Sequence, residues 1–391
     1  MESFYEIHKY LLQHISSPVR RGLMDEIDLN DRLIGIKGSR GVGKTTFLLS
    51  YAKEFFGPDD KECLYINMNH FFFTDKTLVN FAGEFLARGG KVLLIDQVFK
   101  YPNWSKELHY CYNYYPDLRI VFTGSSVMQL SENPDLSCKV SVYYLRGFSY
   151  REYLNLMSDN QFPAYPLEEI LNNHAAIAKE ICSKIKPRVY FQDYLQHGCY
   201  PFFLEKRNFS ENLLKTMNMT LEVDVLFLKQ IEHNYLSKLR KLLYLMSLTL
   251  PCSPNVSRLS KAIKTSRATV MNYIKYLQEA RLISLLYEKG EEYSKKPAKV
   301  YMHNTNLIHV IHQMRTDELA VCETFFCYQL LKDNIVNTGG KTAQFLINGN
   351  HFFQIMVEPN SKAPSDIYHV AEKLDIGEGH LIPLWLFGFL Y

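Results

Sequence analysis

The chain has 391 residues, more than one ordinary core holds and enough for two or three domains. Hydrophobic residues make up 47% and charged residues 22%, which excludes a disordered or fibrous chain and leaves a globular one. The formal net charge of +3 is too small to identify a polyanionic partner, so any nucleic-acid footprint has to be local.

The opening "MESFYEIHKYLLQHI" lacks the basic flank and apolar block of a signal peptide and reads as an amphipathic helix over residues 3–15. No stretch approaches ~18 continuous apolar residues, so no membrane span is expected. The eight cysteines form no CxxC pair and no Cys/His cluster at zinc-finger spacing. Reduced thiols and a cytoplasmic location follow as the expectation.

Next, "DRLIGIKGSRGVGKTTFLLSYAKEFF" reads as strand, glycine loop and helix. "ECLYINMNH", "KVLLIDQV" and "DLRIVFTGSS" read as three more apolar strands with helical material between them. Strands alternating with helices predict a parallel sheet covered on both faces.

Within the first of these units, "GSRGVGKT" fits G-x-x-x-x-G-K-[ST]. Gly38, Ser39, Arg40, Gly41, Val42, Gly43, Lys44, Thr45 and Thr46 are the expected binding residues for ATP. The glycines let backbone N–H groups curl toward a polyphosphate, and the helix N-terminus adds positive potential. Lys44 brings a point charge to the β- and γ-phosphates, and the Thr45 hydroxyl is placed for Mg²⁺. Asp96, ending "KVLLID", is the second expected Mg²⁺ residue. Thr123, Ser125 and Ser126 end the next strand, where Ser125 is a candidate γ-phosphate sensor. Local backbone bonding is the competing role for these hydroxyls.

Gln97 follows Asp96, where a water-activating glutamate is usual. A carboxamide cannot act as a base at neutral pH, which removes a contribution typically worth ~10²–10⁴-fold. Phosphoryl transfer depends mainly on positioning and electrostatics, and in the GTPase Ras a glutamine orients the water. Lys44, Asp96, Gln97 and Ser125 therefore form the expected catalytic set of a slow ATPase.

Strand signals fade after about residue 145. Helical patterns run from "FSYREYLNLM" to about residue 235, with Pro187 and "HGCYPFF" as punctuation. From residue 238 the order is helix, helix, turn, helix and two strands around the charged loop "EKGEEYSKKPAK", which is a winged-helix order. Ser266 is placed to cap the second helix of the turn, and Val270, Ile274 and Leu277 share its apolar face. Arg267, Asn272 and Lys275 lie off that face and are the candidate contacts to duplex DNA. Cations outnumber Glu279, Glu288, Glu291 and Glu292 between residues 258 and 299. The alternative use of this module is protein contact. The remaining residues mix helix ("CETFFCYQLL") with short strands ("AQFLING", "FFQIMV", "IPLWLFGFLY").

The pieces "RGVGKTTFLL", "LLIDQVFKYPNWSKEL", "YPDLRIVFTGSS", "LRGFSYREYL", "ETFFCYQL" and "IPLWLFGFLY" resemble the prokaryotic AAA+-type ATPases that carry an additional C-terminal domain. The resemblance implies an α/β fold: a P-loop NTPase parallel sheet, a helical lid, a winged helix and a C-terminal restriction-endonuclease-like domain. The expected segments are 1–145, 146–235, 236–305 and 306–391. Three departures stand out. Gln97 and Phe99 replace the family's usual Glu and His. Cys138 and Lys139 stand where a basic pair, a candidate arginine finger, is common. In the terminal domain Gln344, Gln354 and Met356 occupy positions of a PD-(D/E)xK nuclease site, leaving Glu323 from its acidic set. Carboxamides bind Mg²⁺ weakly and take no proton, so DNA cleavage is not expected. Three functions stay open: a nucleotide-dependent DNA-associated switch, a plain ATPase motor, and a nucleotide-stabilised scaffold for a protein partner.

Overall fold

The computed structural model of the chain describes residues 1–130, 133–205, 207–312, 317–360 and 366–391. It divides into two compact units, Met1–Gly147 and Phe148–Tyr391. Among the described residues no helix is long and apolar enough to cross a membrane.

The first unit runs α1 (Glu2–His14), α2 (Leu23–Glu26), β1 (Leu33–Gly38), α3 (Lys44–Phe55), β2 (Cys63–Asn67), α4 (Leu78–Ala87), β3 (Val92–Asp96), α5 (Trp104–Tyr114), β4 (Arg119–Ser125), α6 (Pro134–Ser137) and β5 (Ser141–Tyr144). The sheet order is β2-β3-β4-β1-β5, and every pairing is parallel. β1 to β4 are buried along almost their whole length, as expected of strands covered on both faces. The sequence pattern misses β5. It is an edge strand with half-exposed positions, so its apolar signal is weak.

This strand order puts a topological switch point beside β1, where a crevice opens at the carboxyl ends. The register pairs Ile36 and Gly38 of β1 with Thr123 and Ser125 of β4, and Ile95 of β3 with Phe122. Asp96, the next residue, therefore lies level with Thr123, while the loop after Gly38 begins two residues higher.

The second unit begins with α7 (Tyr150–Ser158), α8 (Leu167–Lys184), α9 (Pro187–Asp193), α10 (Phe209–Met219), α11 (Leu226–Leu228) and α12 (Leu236–Ser247). Ser149 and Glu152 close a capping box on α7. α13 (Val256–Ala262) and α14 (Arg267–Glu279) follow, then the antiparallel pair β6 (Ile283–Leu286) and β7 (Lys299–Met302). Ser266 caps α14 by accepting from Thr269 N–H, and Val270, Ile274 and Leu277 are buried.

The chain ends with α15 (Thr305–Ile311), α16 (Glu318–Leu330), β8 (Val336–Thr338), β9 (Phe345–Ile347), β10 (His351–Met356), β11 (Tyr368–Ala371) and β12 (Leu381–Pro383). These strands form a mixed sheet, β12-β11-β10-β9-β8. "IPLWLFGFLY" was expected as a strand. Only its first residues pair; Leu384–Phe389 form a short 3₁₀ segment in which every residue is buried. A fully buried apolar run carries no period to separate the two conformations. One hydrophobic core joins α7, α8 and α9 to α16, this sheet and Trp385. From residue 148 onward, the segments expected as lid, winged helix and terminal domain thus lie inside one compact unit.

Candidate functional site

Residues 38–46 form the loop from β1 and the first turn of α3. Gly41 and Gly43 adopt φ of 84° and 95°, which side chains with a Cβ rarely tolerate. Gly38 is needed for a different reason: a Cβ there would lie 2.4 Å from the Leu145 carbonyl oxygen. Arg21 braces the loop by donating to the Val42 carbonyl and to the carbonyls of Arg146 and Gly147. Sequence reasoning missed Arg21, since nothing in its local pattern marks it.

The Lys44 ammonium folds back over the loop and donates to the carbonyls of Gly38 and Ser39, each at 2.8 Å. Thr45 reaches from the first turn of α3 to Asp96, its hydroxyl donating to Oδ2 at 2.7 Å. Asp96 is 1% exposed and accepts from four groups. Oδ2 also takes the Tyr65 hydroxyl at 2.9 Å, while Oδ1 takes the Thr123 hydroxyl and the Gln97 N–H. Such a carboxylate is held in one orientation, as an outer-shell metal partner has to be.

Tyr65 is the second residue sequence reasoning missed. Burial, then the neighbouring Asp96 charge, pushes its hydroxyl well above the ordinary tyrosine range, so it stays a donor. Its own N–H donates to Nδ1 of the buried His8 on α1. Burial pushes His8 down to about 4, which keeps that nitrogen an acceptor at neutral pH.

The residues suit Mg²⁺. A hydroxyl can ligate a cation through its lone pairs while its proton goes elsewhere. Thr45 has that second partner in Asp96. Both Asp96 oxygens are already engaged, so Asp96 would act through Thr45 or through metal-bound water.

Gln97 has φ 54°, and its N–H is tied to Asp96 and to Thr123. Among the described residues its carboxamide makes no hydrogen bond. Ser125 is 3% exposed, and its oxygen accepts from Val127 N–H, which is the local backbone role. Thr123, from the same strand end, is the hydroxyl that reaches Asp96. Lys139 donates to Asn113 at 2.9 Å, and Cys138 is exposed.

In the second unit Arg267 is exposed on the first turn of α14. Asn272 and Lys275 are already engaged by the hairpin loop. The Tyr293 hydroxyl donates to Asn272 Oδ1 at 3.1 Å, and the Lys275 ammonium lies 4.5 Å from the Tyr293 ring centre.

Glu323 on α16 is 5% exposed and receives the Tyr301 hydroxyl at 2.8 Å, the Gln344 carboxamide at 2.9 Å and the Lys299 ammonium at 3.2 Å. The Gln344 oxygen accepts from Ile355 N–H. Among the described residues no group of three His, Cys, Asp or Glu side chains is gathered to hold a metal. Glu323 is thus the acceptor of a closed polar network.

Residues 30–154 match the family model of the AAA domain, and residues 188–318 match one described as a domain of unknown function (DUF8612). The AAA match supports a nucleotide-binding, ATPase-like function for the first unit. Two proteins of Methanocaldococcus jannaschii are similar. Uncharacterized protein MJ1637 is 28% identical over 68% of this chain and 59% of its own length. Uncharacterized protein MJ1544 is 24% identical over 64% of this chain and 55% of its own length. The chain thus spans between half and two thirds of these relatives. The structure of C. elegans PCH-2 is 17% identical over 44% of this chain and 46% of that one, with a TM-score of 0.25, too slight a likeness to carry an argument.

Proposed function

We propose that the chain binds Mg²⁺–ATP at residues 38–46, hydrolyses it slowly, and couples the bound state to duplex DNA through a winged helix formed by α13, α14, β6 and β7. The observation that carries the first part is the convergence of Thr45, Tyr65, Thr123 and the Gln97 N–H on Asp96 beneath the glycine loop.

Thr45, with Asp96 behind it, would hold Mg²⁺, which would supply charge neutralisation at the phosphates. Lys44 exchanges its two carbonyl partners for phosphate oxygens. Thr45 would offer its lone pairs to the metal while its hydroxyl proton still donates to Asp96. Gln97 can donate to or accept from a water with its unengaged carboxamide, but it cannot take the proton. Orientation without a base is the physical reason for slow turnover.

Arg267 supports the DNA part. A helix N-terminus repels cations, and α14 has no acidic residue in its first turn to offset one. An exposed arginine there suits an anionic partner. The engagement of Asn272 and Lys275 by Tyr293 favours a second reading, in which the module contacts a protein and the chain is a nucleotide-stabilised scaffold.

Titration with ATP and Mg²⁺, with and without a labelled duplex, tests the switch. ATP should change DNA affinity, and DNA should change ATP affinity by the same factor. Absence of DNA binding at low salt in both nucleotide states would leave the scaffold.

A further inference from the structure

We propose that a cavity in the second unit, bounded by β7, β10 and the β8–β9 turn, is a binding site for a small phosphomonoester with a hydroxylated body. It is separate from the nucleotide loop of the first unit and does not depend on it.

The cavity has a volume of about 410 Å³. That lies within the ~300–1,000 Å³ usual for small-molecule sites. Lys299 of β7 and Gln354 of β10 line it, with Gln344 just before β9. Thr338 ends β8, and Lys341 and Thr342 come from the turn that joins β8 to β9. This lining is rich in donors and holds one carboxylate, Glu288, which is exposed.

Glu323 stands behind this wall, since both Lys299 and Gln344 donate to it. Burial, then the Glu323 charge, pushes the Tyr301 hydroxyl far above its ordinary range, so this third donor does not ionise. The Glu323 carboxylate is therefore satisfied from within the protein. What faces the cavity is the other side of the network: the Lys299 stem and ammonium, and carboxamides where a nuclease would need acids. A divalent cation finds too few anionic oxygens here. An anion meets donors.

The turn adds a second, independent feature. Its sequence is Gly339, Gly340, Lys341, Thr342. Gly340 adopts φ 64°, and a Cβ on Gly339 would lie 2.6 Å from the Ala343 carbonyl oxygen. Both glycines are thus dictated by the turn. The N–H groups of Thr342 and Ala343 return to the Gly339 carbonyl, which closes the turn. Among the described residues, the N–H groups of Gly340 and Lys341 donate to nothing, and the Lys341 ammonium has no carboxylate partner. Successive unengaged amides in such a turn form a concavity that suits anions. A lysine and a threonine hydroxyl on the same turn complete a set of phosphate donors. Glu288, next in the chain to Tyr287, whose carbonyl receives the Thr338 N–H, also lines the cavity and is an acceptor for hydroxyl groups on the rest of the ligand.

The test is isothermal titration calorimetry on the full chain carrying Lys44→Ala, so that the nucleotide loop does not compete. Ribose 5-phosphate, AMP and inorganic phosphate are the probes. One saturable site per chain is expected for at least one of the two phosphomonoesters, weakened about tenfold by Lys341→Ala. Gln354→Leu should weaken it as well. Lys341 is exposed, so its variant should keep the parent's unfolding profile. Tighter AMP binding identifies a nucleotide as the ligand, and tighter ribose 5-phosphate a sugar phosphate. No saturable binding of either phosphomonoester, or binding indifferent to Lys341→Ala, overturns the proposal.

Discussion

The Tyr65 hydroxyl donates from β2 to Oδ2 of Asp96 on the neighbouring β3, the same oxygen that receives Thr45. A residue two positions before the end of the edge strand β2 thereby fixes the carboxylate that, in the proposed site, would orient a metal-binding hydroxyl. Tyr65 is a positioning residue, because it would touch neither nucleotide nor metal.

Tyr65→Phe should raise the Mg²⁺ concentration needed for half-maximal nucleotide binding by several-fold. Its effect on nucleotide affinity in EDTA should be small. A hydrogen bond to a charged group contributes about 1.5–3 kcal/mol, so some loss of stability should accompany the change. Mg²⁺ titrations of fluorescent-nucleotide binding separate the two effects, since a merely structural role would leave the Mg²⁺ midpoint where it was.

His8 gives the first unit a pH dependence. Its folded-state value of about 4 lies below the ~6.5 of an unfolded histidine. Between those values the unfolded chain binds the proton and the native one does not, so stability rises with pH. The contribution is fully present above about 6.5 and is lost as pH falls through the window toward 4. Between pH 7.5 and pH 5 the loss is about 2 kcal/mol by linkage. Urea unfolding of the wild type and His8→Asn at both pH values should show that increment only in the wild type.

Glu323→Ala should destabilise the second unit by about 3 kcal/mol, since it strands a lysine and two neutral donors that converge on a buried carboxylate. The wild type should not nick plasmid DNA in Mg²⁺ or Mn²⁺. Nicking that disappears in a folded Glu323→Gln protein would contradict this.

Arg267→Ala should weaken duplex binding more than Lys275→Ala does, because the Lys275 ammonium is already placed over Tyr293. Affinity should fall with salt at a slope of roughly −0.9 per phosphate neutralised. Fluorescence anisotropy at two salt concentrations reads both. Equal effects of the two substitutions would mean that Tyr293 gives way on binding.

The nucleotide loop was legible in the sequence because each chemical need there has its own residue type at a fixed spacing. Asp96 was legible because it ends an apolar strand downstream of a glycine loop, where a carboxylate can serve Mg²⁺. Tyr65 was not, since a tyrosine in a strand reads as an ordinary β-former until β2 is paired with β3. Glu323 could be singled out only through the resemblance, as what remains of a nuclease-like acidic set. Its pairing with the Lys299 ammonium and the Tyr301 hydroxyl depends on where the β6–β7 hairpin packs. The end of the chain misled for another reason: a wholly buried apolar segment has no polar face from which a period can be read.

The most direct measurement is steady-state phosphate release by the wild type, Lys44→Ala and Gln97→Glu at saturating Mg²⁺–ATP. The account predicts slow release by the wild type, none above background in Lys44→Ala, and a rise in Gln97→Glu, where a base joins the intact Asp96. General-base contributions of ~10²–10⁴-fold set the upper range of that rise. Release from Gln97→Glu no faster than from the wild type would contradict it.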